Sequence, residues 1–84
     1  MDERELRQQP PIPNDEFSQL LHALRRGRGL TQGELAARAA VATSTVQAYE
    51  QGKRLPEDSA IVDRLCVALT ADRDNRAQLR AAAG

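Results

Sequence analysis

Basic side chains are concentrated in the middle of this 84-residue chain. Residues 17–56 carry six bases against two acids, a net charge of +4, whereas residues 1–16 carry −3 and residues 57–84 carry −1, so the whole chain is neutral. The six bases are Arg25, Arg26, Arg28, Arg38, Lys53 and Arg54. A basic surface between acidic ends can attract a polyanion. The alternative is a set of solvated arginines on helix surfaces, and charge alone favours neither interpretation.

The stretch "AARAAVATSTVQAYEQG", residues 36–52, changes character halfway along. Its first half is rich in alanine, a strong helix former, and it then meets a run of Val, Thr and Ser that is unfavourable in the middle of a helix. The second half carries hydroxyl and amide side chains that can donate and accept hydrogen bonds. We therefore predict two helices with a break near Ala40–Ala42, so that residues 32–51 form a helix–turn–helix.

The residue patterns needed for catalysis are missing from the sequence. It has no nucleophile–base pair, no paired carboxylates in an evident pocket and no glycine-rich phosphate loop. One Cys and one His can build neither an internal disulfide nor a metal site. We expect a protein that is not an enzyme and that has no cofactor, no bound metal and no small-molecule site.

The same composition bears on location. A single Cys suits a reducing cytoplasm. No apolar run approaches the roughly 18 residues of a membrane span, and the N-terminus lacks the apolar segment of a signal peptide. We expect a cytoplasmic protein with no membrane partner.

Residues 1–13 are predicted to form a flexible leader, because "QQPPIP" at its end holds three of the four prolines. The ordered domain, residues 14–84, then begins with a helix capped by Asn14 or Asp15. Apolar residues at i, i+3, i+4 and i+7 lie on one face of that helix: Phe17, Leu20, Leu21 and Leu24. Gly27 and Gly29, which alternate with arginines after Arg25 and Arg26, loosen and end it.

The second helix has a dense start signal in "LTQGEL". Thr31 and Glu34 have the spacing of a capping box, so the helix is predicted to start at Gln32. The third helix carries Tyr49 on its inner face and is closed by Gly52. The apolar residues of both helices that are predicted to point inward are Leu35, Ala39, Val41, Val46 and Tyr49.

A fourth helix is predicted after a cap at Asp58 or Ser59, and a short fifth helix after a cap at Asp72, with Leu79 as its one large apolar anchor. The fourth helix has apolar residues at helical spacing: Ile61, Val62, Leu65, Cys66 and Leu69. No strand-like alternation occurs. The predicted fold class is therefore all-α, a compact bundle of four to five short helices.

The motifs of the central region resemble those of a known family. "R-x-x-x-G-L-T-Q-x-E-L-A" at 25–36, "A-x-x-A-x-V" at 36–41 and "V-x-x-Y-E-x-G" at 46–52 are similar to the helix–turn–helix domain of phage Cro/C1-type repressors and the xenobiotic-response-element regulators. The resemblance covers residues 17–69. A weaker resemblance of the C-terminal tail to an extra helix of many actinobacterial members, with the Ala and Arg bias, suggests an actinobacterial source.

The resemblance implies a lambda-repressor-like fold of five helices and a role for specific residues. It implies that the third helix, about 43–51, lies in the major groove with its N-terminal residues facing base edges. The implied base-contacting residues are Thr43, Ser44, Gln47 and Ala48. Gln47 can pair with adenine, and Ala48 can touch a thymine methyl group. Thr43 and Ser44 can bond bases or phosphate, or they can merely cap the helix.

Other positions are implied to hold the DNA backbone or the fold. Gln32 begins the helix whose N-terminus would face a phosphate, and Lys53 and Arg54 would contact the backbone just beyond the third helix. Arg25 and Glu50 match positions that form a structural ion pair between the first and third helices. A phosphate contact is the alternative role for Arg25.

The sequence departs from the family pattern at two positions in the turn. Ala40 occupies the position where the family usually has Gly, so a left-handed backbone there would be strained. Ala42 occupies the usual Ser or Thr cap position, and we expect the cap to pass to Thr43. His22 is expected to be a surface side chain.

The predicted function is sequence-specific binding of double-stranded DNA by a transcriptional regulator, located in the cytoplasm on the nucleoid. We expect a monomer or weak homodimer that would bind two half-sites about one helical turn apart. The alternative is a protein-interaction module, such as an antitoxin or co-activator adaptor, that keeps the helix–turn–helix fold. Near-neutral net charge and acidic ends favour this alternative.

Overall fold

The computed structural model describes residues 13–83, with side chains from residue 16 onward. It contains five helices: α1 (Pro13–Gly27), α2 (Gln32–Ala39), α3 (Thr43–Glu50), α4 (Ser59–Ala68) and α5 (Arg73–Ala83). No strand occurs within residues 13–83. The prediction of an all-α bundle with a helix–turn–helix is confirmed.

Four of the helix starts follow from local sequence. Pro13 is the first residue of α1, one residue before the predicted cap Asn14, and proline suits a first turn because its φ is already helical. The predicted leader otherwise lies outside the described residues. Thr31 caps α2 in a capping box, and Asp58 caps α4 by accepting a hydrogen bond from the Ile61 N–H. Asp72 accepts from the Asn75 N–H at the start of α5.

The core lies where all five helices meet. Tyr49 and Phe17 are its largest fully buried side chains, and their rings meet edge to face with centroids 5.9 Å apart. Leu35 and Ala39 of α2 are buried as predicted, whereas Val41 in the following turn is only partly buried. Leu79 is fully buried and anchors α5.

Helix packing gives the helix–turn–helix a rigid support. The α3 helix packs against α1 and α2, α4 packs against α2, and α5 packs against α1 and α4. Ala36 is buried between the helices, and its small side chain permits their close approach. Within residues 13–83, no helix is both long enough and apolar enough to cross a membrane.

Candidate nucleic-acid interface

The α3 helix has one buried face and one polar, solvent-exposed face. Val46 and Tyr49 are fully buried, whereas Thr43, Ser44 and Gln47 are exposed. Ala48 is half-buried at the edge of the exposed face. The helix carries no acidic residue in its first turn and no basic residue in its last. The exposed face therefore offers hydroxyl and amide groups rather than charge.

The N-terminus of α3 is not capped by a side chain. Ala42 is the N-cap residue, with an extended backbone at φ −72° and ψ 147°, and it has no side-chain oxygen to accept a hydrogen bond. The expectation that the cap passes to Thr43 is wrong, because Thr43 is already helical. Among residues 13–83, the N–H groups of Thr43 and Ser44 have no protein acceptor. They remain available to an external one.

The N-terminus of α2 lies beside that of α3. Gly33, in the first turn of α2, lies close to Thr43, the first residue of α3. The position that a Cβ atom would occupy on Gly33 is 3.9 Å from the Thr43 Oγ1 atom and equally far from the Thr31 Oγ1 atom. The capping box satisfies the N–H groups of Thr31 and Glu34, and the Thr31 N–H holds the pKa of Glu34 below its ordinary value. In the described part of the chain, the N–H groups of Gln32 and Gly33 have no acceptor. Two open helix N-termini thus share one side of the molecule.

A shallow, open depression adjoins the start of α2. Its lining residues are Arg25, Arg26, Gly29, Leu30, Thr31 and Gln32. Arg26 is exposed, and its guanidinium has no ion-pair partner within residues 13–83. This unpaired charge next to the positive end of the α2 dipole makes the depression favourable for an anion.

The structure brings Arg25 and Glu50 together as a bidentate ion pair between α1 and α3. The Arg25 Nε and Nη2 atoms lie 2.7 and 3.0 Å from Glu50 Oε2 and Oε1. The two side chains are 12% and 4% exposed. A third bond, from Arg25 Nη1 to the Leu30 carbonyl at 2.8 Å, fixes the turn before α2. These contacts leave the Arg25 guanidinium engaged within the fold.

Two more side chains bind the same carboxylate. His22 Nδ1 lies 2.8 Å from Glu50 Oε1, and Gln32 Nε2 lies 3.4 Å from it. Burial disfavours the charge of Glu50, but the hydrogen bonds that it accepts, chiefly from Arg25 and His22, outweigh burial and hold its pKa below the ordinary value. His22 was expected only to be a surface side chain, and its membership of this site was not predicted. The available signal was its position three residues before Arg25, on the same face of α1.

The two basic residues after α3 have different surroundings. Lys53 is exposed, and its ammonium has no ion-pair partner in the described range 13–83. Arg54 forms an ion pair with Glu57, Nη2 to Oε1 at 2.9 Å, and its guanidinium lies 5.8 Å from the centre of the Tyr49 ring. Of the two, Lys53 is the free charge, and Arg54 has to exchange a partner to bind an external anion.

Between residues 13 and 83, no three His, Cys, Asp or Glu side chains lie close enough together to hold a metal ion. Cys66 is fully buried, and burial raises the pKa of its thiol.

The fold and the exposed α3 surface define a small helix–turn–helix domain. The family model described as "Helix-turn-helix domain" matches residues 16–79, and the chain belongs to this family. A similar solved structure is the crystal structure of the clp gene regulator ClgR from C. glutamicum, with a TM-score of 0.72 and 24% sequence identity. The match covers 88% of this chain and 91% of that one, and at this identity it is a likeness of fold. No curated protein sequence matches this chain.

Proposed function

We propose that the protein is a transcriptional regulator that binds double-stranded DNA and reads its sequence with α3 in the major groove. The observation that carries the proposal is the surface of α3, which is polar, exposed and uncapped, while its opposite face is fixed in the core. The clp gene regulator ClgR, which has a similar fold, is a gene regulator, and this favours the same role here.

In this proposal, the first turns of α3 supply the base contacts. Gln47 can donate to and accept from the edge of adenine, and the Ala48 methyl group can touch the methyl group of thymine. Thr43 and Ser44 can bond bases or phosphate. The missing cap favours a role for these two residues in binding, because within residues 13–83 neither their hydroxyls nor their N–H groups form a hydrogen bond with the protein.

The backbone contacts would come from four residues that surround α3. The free N–H groups at the start of α2, at Gln32 and Gly33, suit a phosphate oxygen. Lys53 is free to bind a second phosphate, and Arg54 can join it by releasing Glu57. These contacts position the helix without reading sequence.

Two copies would read a complete site. A single α3 reaches only a few base pairs, so we propose a weak homodimer on two half-sites about 34 Å apart, one helical turn of DNA. Such a protein would work in the cytoplasm, on the nucleoid. Sedimentation of the protein with and without a two-site duplex measures this stoichiometry directly, and one copy per duplex would contradict it.

The proposal is tested by titrating labelled duplexes, taken from DNA that flanks the gene of this protein, at low and then higher salt. We expect binding at low salt, with log affinity falling linearly with log salt at a slope of about −0.9 for each phosphate contacted. Lys53→Ala should flatten the slope. Arg73 is an exposed arginine on α5, and the control change Arg73→Ala should leave the slope unchanged. Absence of binding at low salt would overturn the proposal and favour a protein-interaction module.

A further inference from the structure

The Glu50 carboxylate connects three helices through four hydrogen bonds. Oε2 accepts from Arg25 Nε, and Oε1 is shared by Arg25 Nη2, His22 Nδ1 and Gln32 Nε2. The bond to Gln32 is the longest of the four, at 3.4 Å, so a small displacement of Oε1 is enough to break it. Gln32 is also the first residue of α2, where the free N–H groups lie.

The hydrogen positions in this cluster follow from the chemistry of Glu50. An ionised carboxylate can only accept, so His22 must carry its hydrogen on Nδ1, and Gln32 must turn its NH2 group towards Glu50. Arg25 Nη2 lies 3.3 Å from His22 Nδ1, and because both atoms are donors they share Oε1 rather than bond each other. One amide hydrogen of Gln32 therefore remains for an external acceptor.

We infer that His22 is a positioning residue for the DNA-backbone contact at the N-terminus of α2, an inference that rests on the proposed function. Arg25 holds both oxygens of the carboxylate, with Nε 2.7 Å from Oε2 and Nη2 3.0 Å from Oε1. His22 Nδ1 adds the shortest contact to Oε1, at 2.8 Å, from a side chain that is 48% exposed where Glu50 is 4% exposed. With Oε1 fixed, the Gln32 amide is held beside the free N–H groups, where a phosphate would bind.

The inference is tested by replacing His22 in two backgrounds. We expect His22→Ala to weaken binding to all duplexes alike by about two- to tenfold, the value of one ordinary hydrogen bond. In a Gln32→Ala background the same change should have almost no effect on affinity. His22→Asn should restore most of the loss, because its amide nitrogen lies where the Nδ1 atom was. Gln19→Ala, an exposed change one turn earlier on α1, is the matched control.

A second readout uses the protein without DNA. His22→Ala should shift the side-chain amide signals of Gln32 in a proton–nitrogen correlation spectrum, whereas Gln19→Ala should not. The inference would be overturned if His22→Ala left the Gln32 signals unmoved. It would also be overturned if His22→Ala lowered the affinity equally with and without the Gln32 side chain. Neither outcome would contradict DNA binding itself. Failure of the wild-type protein to bind any duplex would instead overturn the proposed function, and with it the DNA role of His22.

Discussion

Ala40 has a left-handed backbone, with φ 58° and ψ 43°, in the turn between α2 and α3. This conformation brings the Cβ atom too close to the following carbonyl and costs about 1 kcal/mol relative to glycine. The strain is tolerated because the turn closes two backbone hydrogen bonds, from the N–H groups of Ala40 and Val41 to the end of α2.

We predict that Ala40→Gly raises the free energy of unfolding by about 1 kcal/mol and the melting temperature by roughly 4–8 °C. The measurement is thermal and urea unfolding followed by circular dichroism. Ala37→Gly is the control, since Ala37 is an exposed residue inside α2 and glycine there should cost about 1 kcal/mol. Equal destabilisation by both changes would contradict a positive φ at Ala40.

Gln47 and Lys53 are exposed residues that we propose to play different parts in binding. Gln47→Ala should cost roughly 1–3 kcal/mol on the best site and little on other sites, because it removes a base contact. Lys53→Ala should weaken all sites alike and reduce the salt slope by about 1, because it removes a phosphate contact. Competition titrations with point-substituted duplexes measure both effects. A uniform loss from Gln47→Ala would assign that residue to the backbone instead.

At the scale of the elements, the first four helices end by the same device. In each, a residue with positive φ stands at the helix cap (α2) or directly after it (α1, α3 and α4), and the next N–H bonds a carbonyl five residues back. The four positive-φ residues are Gly29, Ala40, Gly52 and Thr70. Sequence analysis identified the two glycines as helix ends and recognised Ala40 only as a departure from a family pattern. Thr70 has no such signal, since a β-branched residue rarely adopts this conformation.

The helix starts differ more than the helix ends. The α2, α4 and α5 helices begin with a side-chain cap, whereas α3 begins with Ala42 and has none. The missing cap leaves the N–H groups of Thr43 and Ser44 available to an external acceptor, but it lowers the local stability of this helix, which is the one proposed to read DNA.

We therefore predict that Ala42→Ser raises the free energy of unfolding by about 1 kcal/mol, because the new hydroxyl would accept from the free Ser44 N–H. Chemical denaturation gives the value, and hydrogen exchange at Ser44 shows whether the bond forms. Ala37→Ser serves for comparison, because serine inside a helix should lower stability by a few tenths of a kcal/mol. No gain from Ala42→Ser would show that this N–H already has an acceptor.

At the scale of the whole molecule, Glu50 links stability to pH. Its folded pKa lies below the ordinary value of about 4.3, so the stability contributed by its ionised form is fully present above that value. This contribution is lost as the pH falls from about 4.3 towards the lower folded pKa, where Glu50 becomes protonated. The ion pair between Glu50 and Arg25 therefore persists until the pH falls below about 4.3.

We predict that Glu50→Gln lowers the free energy of unfolding by on the order of 3 kcal/mol at pH 7, because it leaves the Arg25 charge largely buried without its partner. The difference from wild type should shrink as the pH falls below about 4.3. Urea unfolding at several pH values between 7 and 3 measures it. Glu57→Gln, in an exposed ion pair, should show only a small difference. If the difference in free energy of unfolding between wild type and Glu50→Gln stayed the same below about pH 4.3, Glu50 would not be ionised in the folded protein as proposed.

The order and approximate bounds of the helices could be predicted from the sequence because their signals are local. The capping box at Thr31, the caps at Asp58 and Asp72 and the apolar spacing of α1 each act within about one helical turn. The buried face of α3 followed from the same periodicity, since Tyr49 lies three residues after Val46.

The tertiary structure alone decided how these helices meet. Glu50 is 28 residues from His22 and 18 from Gln32, so no local pattern could place all three side chains on one carboxylate. The adjacent N-termini of α2 and α3 likewise depend on the left-handed turn at Ala40, which the residue type disfavours and which two backbone hydrogen bonds and the packing of the two helices stabilise. Helical periodicity and capping are short-range effects, whereas the shared carboxylate and the paired N-termini depend on the distances between helices that core packing sets.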